Sequence, residues 1–379
     1  MKKQLYKLIF IFFISVSAYA SNAADTHYAM VVDAGSSGSR LYLFSYTTDT
    51  PVPNIIEVMN TSVQPGLSSY ANQPASAGPA LKPMLDSAAQ KIQTLNVDAK
   101  TVSISVYGTA GMRLLDDKTQ TAIYAAVENY IQQNYSFKIG KVETITGKME
   151  GVYGWLDINY LLGTLQNGKT VGEIDMGGAS TQIAYEADSY NDPTNQVRIT
   201  INHHEKIIYS KSFLGLGLDE SRKEMNQDAV YASCYPNQFP LSSSVFGHFN
   251  FGQCERMYEH VIANHHVQAE IKQIPDQQFI AYSGAYYTFD FLGIHDAIKQ
   301  STVENNVQAI CSHTWDELKT TYPTIAEKNL ANYCANGVYL DDLFYGAYHL
   351  HDAQVSVTKE INHTSLNWTL GALLFEILQ

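Results

Sequence analysis

The chain has 379 residues, which is enough for two domains with complete hydrophobic cores. Its formal charge of −13 at pH 7 argues against a protein that wraps nucleic acid. A polyanionic substrate can enter only where a bound cation and local amide donors offset its charge.

The first 20 residues have the pattern of a secretory signal peptide. Three lysines precede an apolar run over residues 8–16, and the small residues Ala18 and Ala20 follow it. The apolar run is too short to favour an uncleaved membrane anchor. We therefore expect an exported protein, either periplasmic or secreted.

Residues 28–44, YAMVVDAGSSGSRLYLF, predict a phosphate-binding hairpin. An apolar strand brings Asp33 to a turn of small residues, and a second apolar strand follows. Gly35 and Gly38 allow the backbone to approach a ligand, and the serine hydroxyls add donors to the amides of the turn. At the end of a buried strand, Asp33 is placed to hold a hydrated divalent cation.

Residues 170–185, TVGEIDMGGASTQIAY, repeat this design. Asp175 follows Asp33, and Gly177 follows Gly35, by the same 142 residues. A single turn of small residues usually has no binding role. Two such turns with matching residues at a constant spacing, each preceded by Asp, indicate a duplicated domain. We expect a phosphate chain to be bound between the two halves.

Between and after these hairpins, strands and helices are both predicted. The pattern indicates a strand over 54–60, a loop over 61–80 and a helix over 83–95. Farther along, residues 197–213 predict a hairpin with polar alternation, and 300–350 predict successive helices. This mixture indicates an α/β fold.

The run 101–115, TVSISVYGTAGMRLL, has the pattern of a buried parallel strand that ends in a turn of small residues. Thr109 and Ala110 lie in this turn, at the carboxyl end of the strand, where ligands bind in open α/β sheets. Residues 279–287, FIAYSGAYY, repeat the order of strand, turn and aromatic residue in the second half.

Glu150 is the candidate catalytic carboxylate. In residues 145–163, ITGKMEGVYGWLDINYLLG, a helix is predicted to begin near Lys148 and to carry Glu150 in its first turn, facing the cleft. Ordinary compensation of the helix dipole would also place Glu there. The closely spaced Gly147, Gly151 and Gly154 favour a functional role, because they indicate close packing or ligand approach.

All cysteines lie in the second half, and an even number in an exported chain favours disulfides over free thiols. The sequence leaves the pairing open. We favour pairs between neighbours in the chain, because these close short local loops. The pairs would be Cys234 with Cys254 and Cys311 with Cys334.

Five segments, in order along the chain, resemble the apyrase conserved regions of the nucleoside triphosphate diphosphohydrolase family. A later segment, NWTLGALLF at 367–375, is similar to the carboxyl-terminal segment of that family. One such segment would be modest evidence, but five in order are specific. The five are DAGSSGSRLYLF, YGTAGMRLL, GKMEGVYGWLDINYLLG, DMGGASTQIAY and SFLGLGLDE.

The resemblance implies an α/β fold of two actin-like domains of the RNase-H type, with the active site in the cleft between them. The first domain would comprise residues 25–145 and 346–379, and the second 146–345. The last stretch, 355–379, would return to the first domain. Residues 371–379 are too short and too polar at their end to act as a membrane anchor. The protein is expected to act as a monomer.

The resemblance also implies roles for individual residues. Glu150 would be the general base, Ser180 and Gln182 would position the nucleophilic water, and Asp33 and Asp175 would hold Ca²⁺ or Mg²⁺ through water, with Thr109 nearby. Two loops would cradle the phosphates of the nucleotide. The residues of these loops are Ser36, Ser37, Gly38, Ser39, Arg40, Gly177, Gly178, Ala179 and Ser180, with Ala110 beside them.

The role of two arginines is open on sequence alone. Arg40 follows the first phosphate turn, so it could bind a phosphate oxygen bidentately or point to solvent from its strand. Arg113 is similarly placed, and we expect it to be structural.

Aromatic residues could also stack on the nucleobase, as they do in the second domain of the family. Tyr287 and Tyr339 are the candidates for this role. Packing in the core is the alternative for any single aromatic residue.

We predict a divalent-metal-dependent nucleotidase that cleaves nucleoside tri- and diphosphates, such as ATP, ADP, GTP and UTP, to monophosphates. The alternative enzyme is an exopolyphosphatase with the same fold, although the GGASTQ segment and the Glu150 segment match the nucleotidase more closely. The alternative from another class is a nucleotide-binding switch similar to actin or the heat-shock chaperone ATPases. Export and disulfides argue against a switch, which depends on a cellular supply of ATP.

Overall fold

A computed structural model describes residues 25–166, 168–271, 274–295 and 297–379. The predicted signal peptide, residues 1–20, lies outside the described residues. Within them the chain forms two larger β-sheets with helices packed against both, and the α/β class expected from the sequence is found.

The first sheet has five strands in the order β3-β2-β1-β4-β5. The β1–β2 and β2–β3 pairs are antiparallel, and the β1–β4 and β4–β5 pairs are parallel. Strand β1 is central and mostly buried, which explains its nearly continuous apolar sequence before Asp33. The strands are β1 (His27–Ala34), β2 (Ser39–Thr47), β3 (Asn54–Val63), β4 (Ser103–Gly108) and β5 (Lys138–Thr144).

The second sheet repeats this topology and adds one edge strand. Its order is β11-β10-β6-β7-β9-β8, so β9, β7, β6, β10 and β11 correspond in order to β3, β2, β1, β4 and β5. The duplication predicted from the two hairpins is therefore present in the fold. The strands are β6 (Gly172–Met176), β7 (Ser180–Glu186), β8 (Gln196–Ile201), β9 (His204–Leu214), β10 (Phe279–Ser283) and β11 (Val355–Val357). A separate small hairpin consists of β12 (Glu360–Ile361) and β13 (Thr364–Ser365).

The helices cover the sheets, and most of the longer ones present an apolar face to the core. A π-helical turn, Asp342–Ala347, directly follows α12. The helices are α1 (Ala77–Ala80), α2 (Lys82–Thr94), α3 (Ala110–Arg113), α4 (Asp117–Asn134), α5 (Gly147–Leu161), α6 (Leu218–Met225), α7 (Phe251–Asn264), α8 (Val267–Glu270), α9 (Gly284–Phe291), α10 (Gln300–Cys311), α11 (Trp315–Thr321), α12 (Glu327–Asp341) and α13 (Trp368–Leu378).

Helices α5 and α13 pack together and join the two lobes. One apolar cluster contains Trp155 of α5 and Leu374 of α13, together with Val31 of the first sheet and Ile208 of the second. Gly371 permits this close packing, because a Cβ atom there would overlap the carbonyl oxygen of Tyr153. The helix that carries Glu150 is therefore anchored against both sheets.

Two sequence expectations differ from the structure. The predicted loop over 61–80 contains the end of β3, two short 3₁₀ helices and α1. In the segment expected to return to the first domain, α13 does contact β1, but β11 pairs with β10 of the second sheet. The other proposed domain boundaries stay a prediction.

Both disulfides join cysteines that are neighbours in the chain, as favoured from the sequence. Cys234 is bonded to Cys254, and Cys311 to Cys334. Both bonds lie in the second half of the chain and tie helices or turns that surround the second sheet. Among the described residues, none of the helices combines the length and the apolar character needed to cross a membrane.

Candidate active site

The first candidate element is the turn between β1 and β2. Asp33, near the end of β1, lies opposite Arg40 in the antiparallel ladder. Arg40 Nη1 is 3.4 Å from Asp33 Oδ2, while Asp33 Oδ1 is buried and has no hydrogen-bond partner among the described residues. The Arg40 side chain is 43% exposed, so it pairs with Asp33 and still reaches solvent at the mouth of the turn.

The second candidate element is the turn between β6 and β7. Asp175 is 6% exposed, and its Oδ1 also has no hydrogen-bond partner in the described part of the chain. The amide of Gly177 donates to the Ser180 carbonyl at 3.0 Å and closes the turn. Three amides at the start of α6 fix the shape of this turn: the Leu218 amide donates to the Gly177 carbonyl, and the amides of the next two residues donate to the Gly178 carbonyl.

The two turns face each other. A Cβ atom placed on Gly178 of the second turn would lie 3.1 Å from Ser36 Oγ of the first. The charges of the two aspartates also interact: burial raises the pKa of Asp33 to about 6, Arg40 opposes this rise, and Asp175 adds to it. The hairpins predicted as halves of one phosphate site therefore meet across one gap.

Thr109 and Ala110 lie beside the first turn. The Thr109 amide donates to the Ala34 carbonyl at 3.3 Å, and both residues are buried at the start of α3. A Cβ atom on the next residue, Gly111, would lie 2.8 Å from the Cα of Ser36. The predicted small-residue turn after β4 is thus packed directly against the turn between β1 and β2.

Glu150 lies in the first turn of α5, as predicted. The Thr146 side chain caps this helix by accepting from the Met149 amide at 3.2 Å, so the helix begins at a defined residue. Glu150 is 6% exposed. Burial raises its pKa to about 8 against the opposing effect of Arg113, and the charges of Asp175 and Asp33 raise it further. A carboxylate tuned in this way is suited to accept a proton near neutral pH.

A polar network surrounds Glu150. Gln182 Nε2 is 2.7 Å from Ser180 Oγ, 2.9 Å from Ser212 Oγ and 3.4 Å from Glu150 Oε2. Gln182 thus connects the predicted water-positioning residues to the carboxylate. The sequence analysis did not single out Ser212, although the polar alternation of its hairpin was a possible signal.

Arg113, which the sequence analysis expected to be structural, takes part in this network. Its guanidinium group forms an ion pair with Glu150 Oε2 and donates to Ser212 Oγ at 3.3 Å. Arg113 belongs to the short helix α3 beside the first sheet, whereas Ser212 belongs to β9 of the second. Through Arg113, the Glu150 carboxylate is therefore connected to both lobes.

Glu173 is a further acidic residue that the sequence analysis missed. It is completely buried and lies two residues before Asp175 on β6. Burial raises its pKa well above the usual value, and the charges of Asp175 and Glu150 add to that rise. Its surroundings therefore favour the neutral form of Glu173 over the ionised form.

The two candidate aromatic residues have different environments. Tyr287 is 56% exposed on α9. Tyr339 is completely buried, and its hydroxyl donates to the Leu216 carbonyl at 2.5 Å. The structure therefore contradicts the prediction for Tyr339, because a ring enclosed in the core has no face to offer a nucleobase. Tyr287 stays a prediction.

We compared the sequence with known protein families and proteins. Residues 20–378 match the GDA1/CD39 (nucleoside phosphatase) family. The chain is 27% identical over 416 residues to ectonucleoside triphosphate diphosphohydrolase 1 of Mus musculus, with 92% of this chain and 81% of that protein covered. The resemblance inferred from the five segments is thereby confirmed.

Two solved structures have the same fold. Nucleoside triphosphate hydrolase from Neospora caninum superposes with a TM-score of 0.70 at 16% identity, covering 93% of this chain and 92% of that one. A Ppx/GppA family member from Aquifex aeolicus gives a TM-score of 0.60 at 12% identity, covering 93% and 98%. These similarities confirm the predicted two-lobed, actin-like fold.

Proposed function

Because the chain belongs to the GDA1/CD39 nucleoside phosphatase family, we propose that it hydrolyses nucleoside tri- and diphosphates to nucleoside monophosphates and phosphate. One observation carries the proposal. Two Asp-led turns face each other, and Glu150 lies buried beside them in contact with Arg113 and Gln182. Substrates would include ATP, ADP, GTP and UTP.

The site has the properties expected for a divalent cation, Ca²⁺ or Mg²⁺. Asp33 and Asp175 each have one buried carboxylate oxygen without a hydrogen-bond partner among the described residues. Hard cations of this kind prefer carboxylate and water oxygens. These two aspartates would hold the hydrated cation, with Thr109 nearby. A bound cation would offset the phosphate charge and stabilise the charge that develops on the transferred phosphoryl group.

The residues of the chain would then orient and deprotonate water. Ser180 and Gln182 would hold the nucleophilic water beside Glu150, and the ionised Glu150 would accept its proton as the water attacks the terminal phosphorus in line. Arg113 lies against the same carboxylate and stabilises its ionised form. Phosphoryl transfer needs mainly this positioning and charge stabilisation.

The two turns would bind the phosphate chain. Backbone amides and hydroxyls of residues 36–40 and 177–180 would donate to the phosphate oxygens, and the glycines of both turns would let the backbone approach them closely. The exposed Arg40 would add a cation to this group. Tyr287 would stack on the nucleobase, and such stacking accepts any base because each has a π face.

Export is also part of the proposal. It is supported by the leader-like residues 1–20 and by the two disulfides, which persist in oxidising compartments. The protein would act as a monomer on nucleotides outside the cytoplasm, either in a periplasm or after secretion.

Phosphate release tests the proposed activity. The mature protein is incubated with ATP, ADP, AMP or polyphosphate, with Ca²⁺ or Mg²⁺ or with a chelator. We expect rapid release from ATP and ADP, none from AMP, and loss of activity with the chelator. Cleavage of polyphosphate alone would instead favour an exopolyphosphatase. Slow ATP turnover with retained product would favour a nucleotide-binding switch.

A further inference from the structure

A cavity of about 500 Å³ lies in the second lobe, apart from the two Asp-led turns. Its walls are the end of α7, the short helix α8 and the π-helical turn that follows α12. This volume is within the range of about 300–1,000 Å³ that is typical of small-molecule sites. Its lining includes Glu259 and Ile262 of α7, Val267 of α8, and Asp342 and Ala347 of the π-helical turn.

The cavity lies across the second sheet from Glu150. Ser210 of β9 faces α5, because its hydroxyl donates to a carbonyl of that helix at 2.9 Å. The residues on either side of Ser210 contact α8 instead: the Tyr209 hydroxyl donates to the Glu270 carbonyl at 3.4 Å, and Lys211 Nζ is 2.6 Å from Glu270 Oε2. Successive side chains of a strand point to opposite faces of a sheet. The sheet therefore separates α8 and its cavity from the helix that carries Glu150.

The local sequence shapes the walls of the cavity. Helix α7 ends at Asn264, and His266, with a φ of 55°, turns the chain into α8. Histidine adopts this left-handed region more readily than most other residues with a side chain. Gln268 Nε2 of α8 donates to the Gly346 carbonyl at 2.9 Å and so joins α8 to the π-helical turn. A Cβ atom on Gly346 would lie in open space, so the turn leaves room for a ligand beside it.

Asp342 is a buried acidic residue in the wall of this cavity. It is 8% exposed, and its Oδ2 is buried without a hydrogen-bond partner among the described residues. A carboxyl buried in this way is costly unless another group satisfies it. Burial, with the charges of its acidic neighbours, raises the pKa of Asp342 to about 9; these neighbours are Glu255, Asp341 and Glu259. A positive charge in the cavity would therefore stabilise the ionised carboxylate.

The lining favours an organic cation over a metal ion. In the described part of the chain, no group of three or more His, Cys, Asp or Glu side chains is arranged to hold a metal. The apolar residues of the lining, such as Ile262 and Val267, offer no oxygen ligand to a metal ion or its water shell. An ammonium group on a short aliphatic chain suits both parts of the lining, because the charge can pair with carboxylates and the carbon chain can contact the apolar wall.

We propose that this cavity binds a small aliphatic amine, with the ammonium group paired with Asp342 and Glu259 and the carbon chain against Ile262 and Val267. The inference goes beyond the proposed nucleotidase activity. The site lies across the second sheet from Glu150, so amine binding does not require a nucleotide.

Calorimetry with 1,4-diaminobutane tests the proposal on the mature protein, and butane-1,4-diol is the neutral probe of similar length. We expect the diamine to bind with a Kd of about 1 mM or tighter and the diol to bind at least about tenfold more weakly. Asp342→Asn keeps the shape of the side chain but removes its charge. A hydrogen bond to a charged group contributes roughly 10-fold to 100-fold in affinity, so this variant should bind the diamine about tenfold or more weakly.

Two further variants support the test. Glu259→Gln changes an exposed side chain and should weaken diamine binding by about threefold. Asp316→Asn on α11 is the matched control, because this aspartate is paired with Lys319 at 3.0 Å on an exposed surface, and it should keep the wild-type affinity. The Tm of each sample shows whether the variant is folded. If Asp342→Asn does not fold, Glu259→Gln and the comparison of diamine with diol retain the test.

The inference is overturned if wild-type protein does not bind the diamine, or if the diol binds as tightly. It is also overturned if folded Asp342→Asn binds the diamine within about twofold of wild type, since the amine would then bind elsewhere. Titration with Mg²⁺ alone gives a further check, because an equal loss of Mg²⁺ affinity in Asp342→Asn would indicate a metal site instead. Phosphate release from ATP is measured on the same samples, so failure of the proposed activity is recorded separately.

Discussion

The two Asp-led turns have the same topology but differ at one equivalent position. In the first hairpin the residue opposite the aspartate is Arg40, and in the second it is Gln182. Arg40 is partly exposed and pairs with Asp33. Gln182 is 1% exposed, and its Nε2 lies within 3.4 Å of side-chain oxygens of Ser180, Ser212 and Glu150.

This difference suggests a division of labour between duplicated halves. The exposed guanidinium group would supply positive charge for an arriving phosphate, whereas the buried amide lies among hydroxyl and carboxylate oxygens that it can hold in fixed positions. We infer that the first turn mainly contributes substrate binding and the second mainly contributes orientation of the attacking water. Each prediction below tests one part of this division.

The largest effect is expected for Glu150→Gln, which leaves the shape of the site but removes the proton acceptor. General-base catalysis contributes roughly 10²-fold to 10⁴-fold, so kcat for ATP should fall about 10³-fold. Affinity for a non-hydrolysable analogue should change little. Glu128→Gln on α4, away from both turns, is the control. A kcat within tenfold of wild type would contradict the assignment of Glu150.

A smaller loss is expected for Gln182→Ala. Removal of one preorganised hydrogen-bond donor in an active site typically costs about 10²-fold to 10³-fold in kcat, and we expect about 10²-fold here with little change in KM. Steady-state kinetics with ATP and ADP would measure this. A rise in KM at constant kcat would show that the second turn contributes binding instead.

Arg40→Gln makes the first hairpin resemble the second at the equivalent position. A hydrogen bond to a charged group is worth about 1.5–3 kcal/mol, and exposure of Arg40 places its contribution at the low end. We therefore expect KM to rise about tenfold while kcat changes little. The division of labour would be wrong if kcat fell by a larger factor than KM rose.

The smallest change is a shift in pH dependence. Glu150 must be ionised to act as a base, so kcat/KM should rise with pH, with a midpoint at or below about 8 because a bound cation also favours the carboxylate. Arg113 lowers the pKa of Glu150. Arg113→Gln removes this effect, so the midpoint should move to higher pH. A shift to lower pH would contradict the claim that Arg113 lowers the pKa of Glu150.

Local sequence predicted the parts of the site that depend on neighbouring residues. Asp33 and Asp175 each follow an apolar strand and precede a turn of small residues, and Glu150 follows a helix cap. These patterns specify backbone shape directly, because a buried strand, a glycine turn and a capped helix each have a short sequence signature.

Residues whose role depends on distant contacts were harder to predict. Arg113 and Ser212 meet Glu150 only because α3, β9 and α5 converge, and no local pattern specifies that convergence. The prediction that Tyr339 stacks on the nucleobase was wrong for a related reason. An aromatic side chain on an amphipathic helix has the same sequence pattern whether it faces a cleft or the core, and the packing of α12 against α7 buries it.

The central claim is that both turns hold one phosphate chain with a cation between their aspartates. A crystal structure with a non-hydrolysable ATP analogue and Mn²⁺, which gives an anomalous signal, tests it most directly. We predict an anomalous peak between Asp33 and Asp175 and the terminal phosphate between residues 36–40 and 177–180. A peak elsewhere, or phosphates bound outside the gap, would contradict the account.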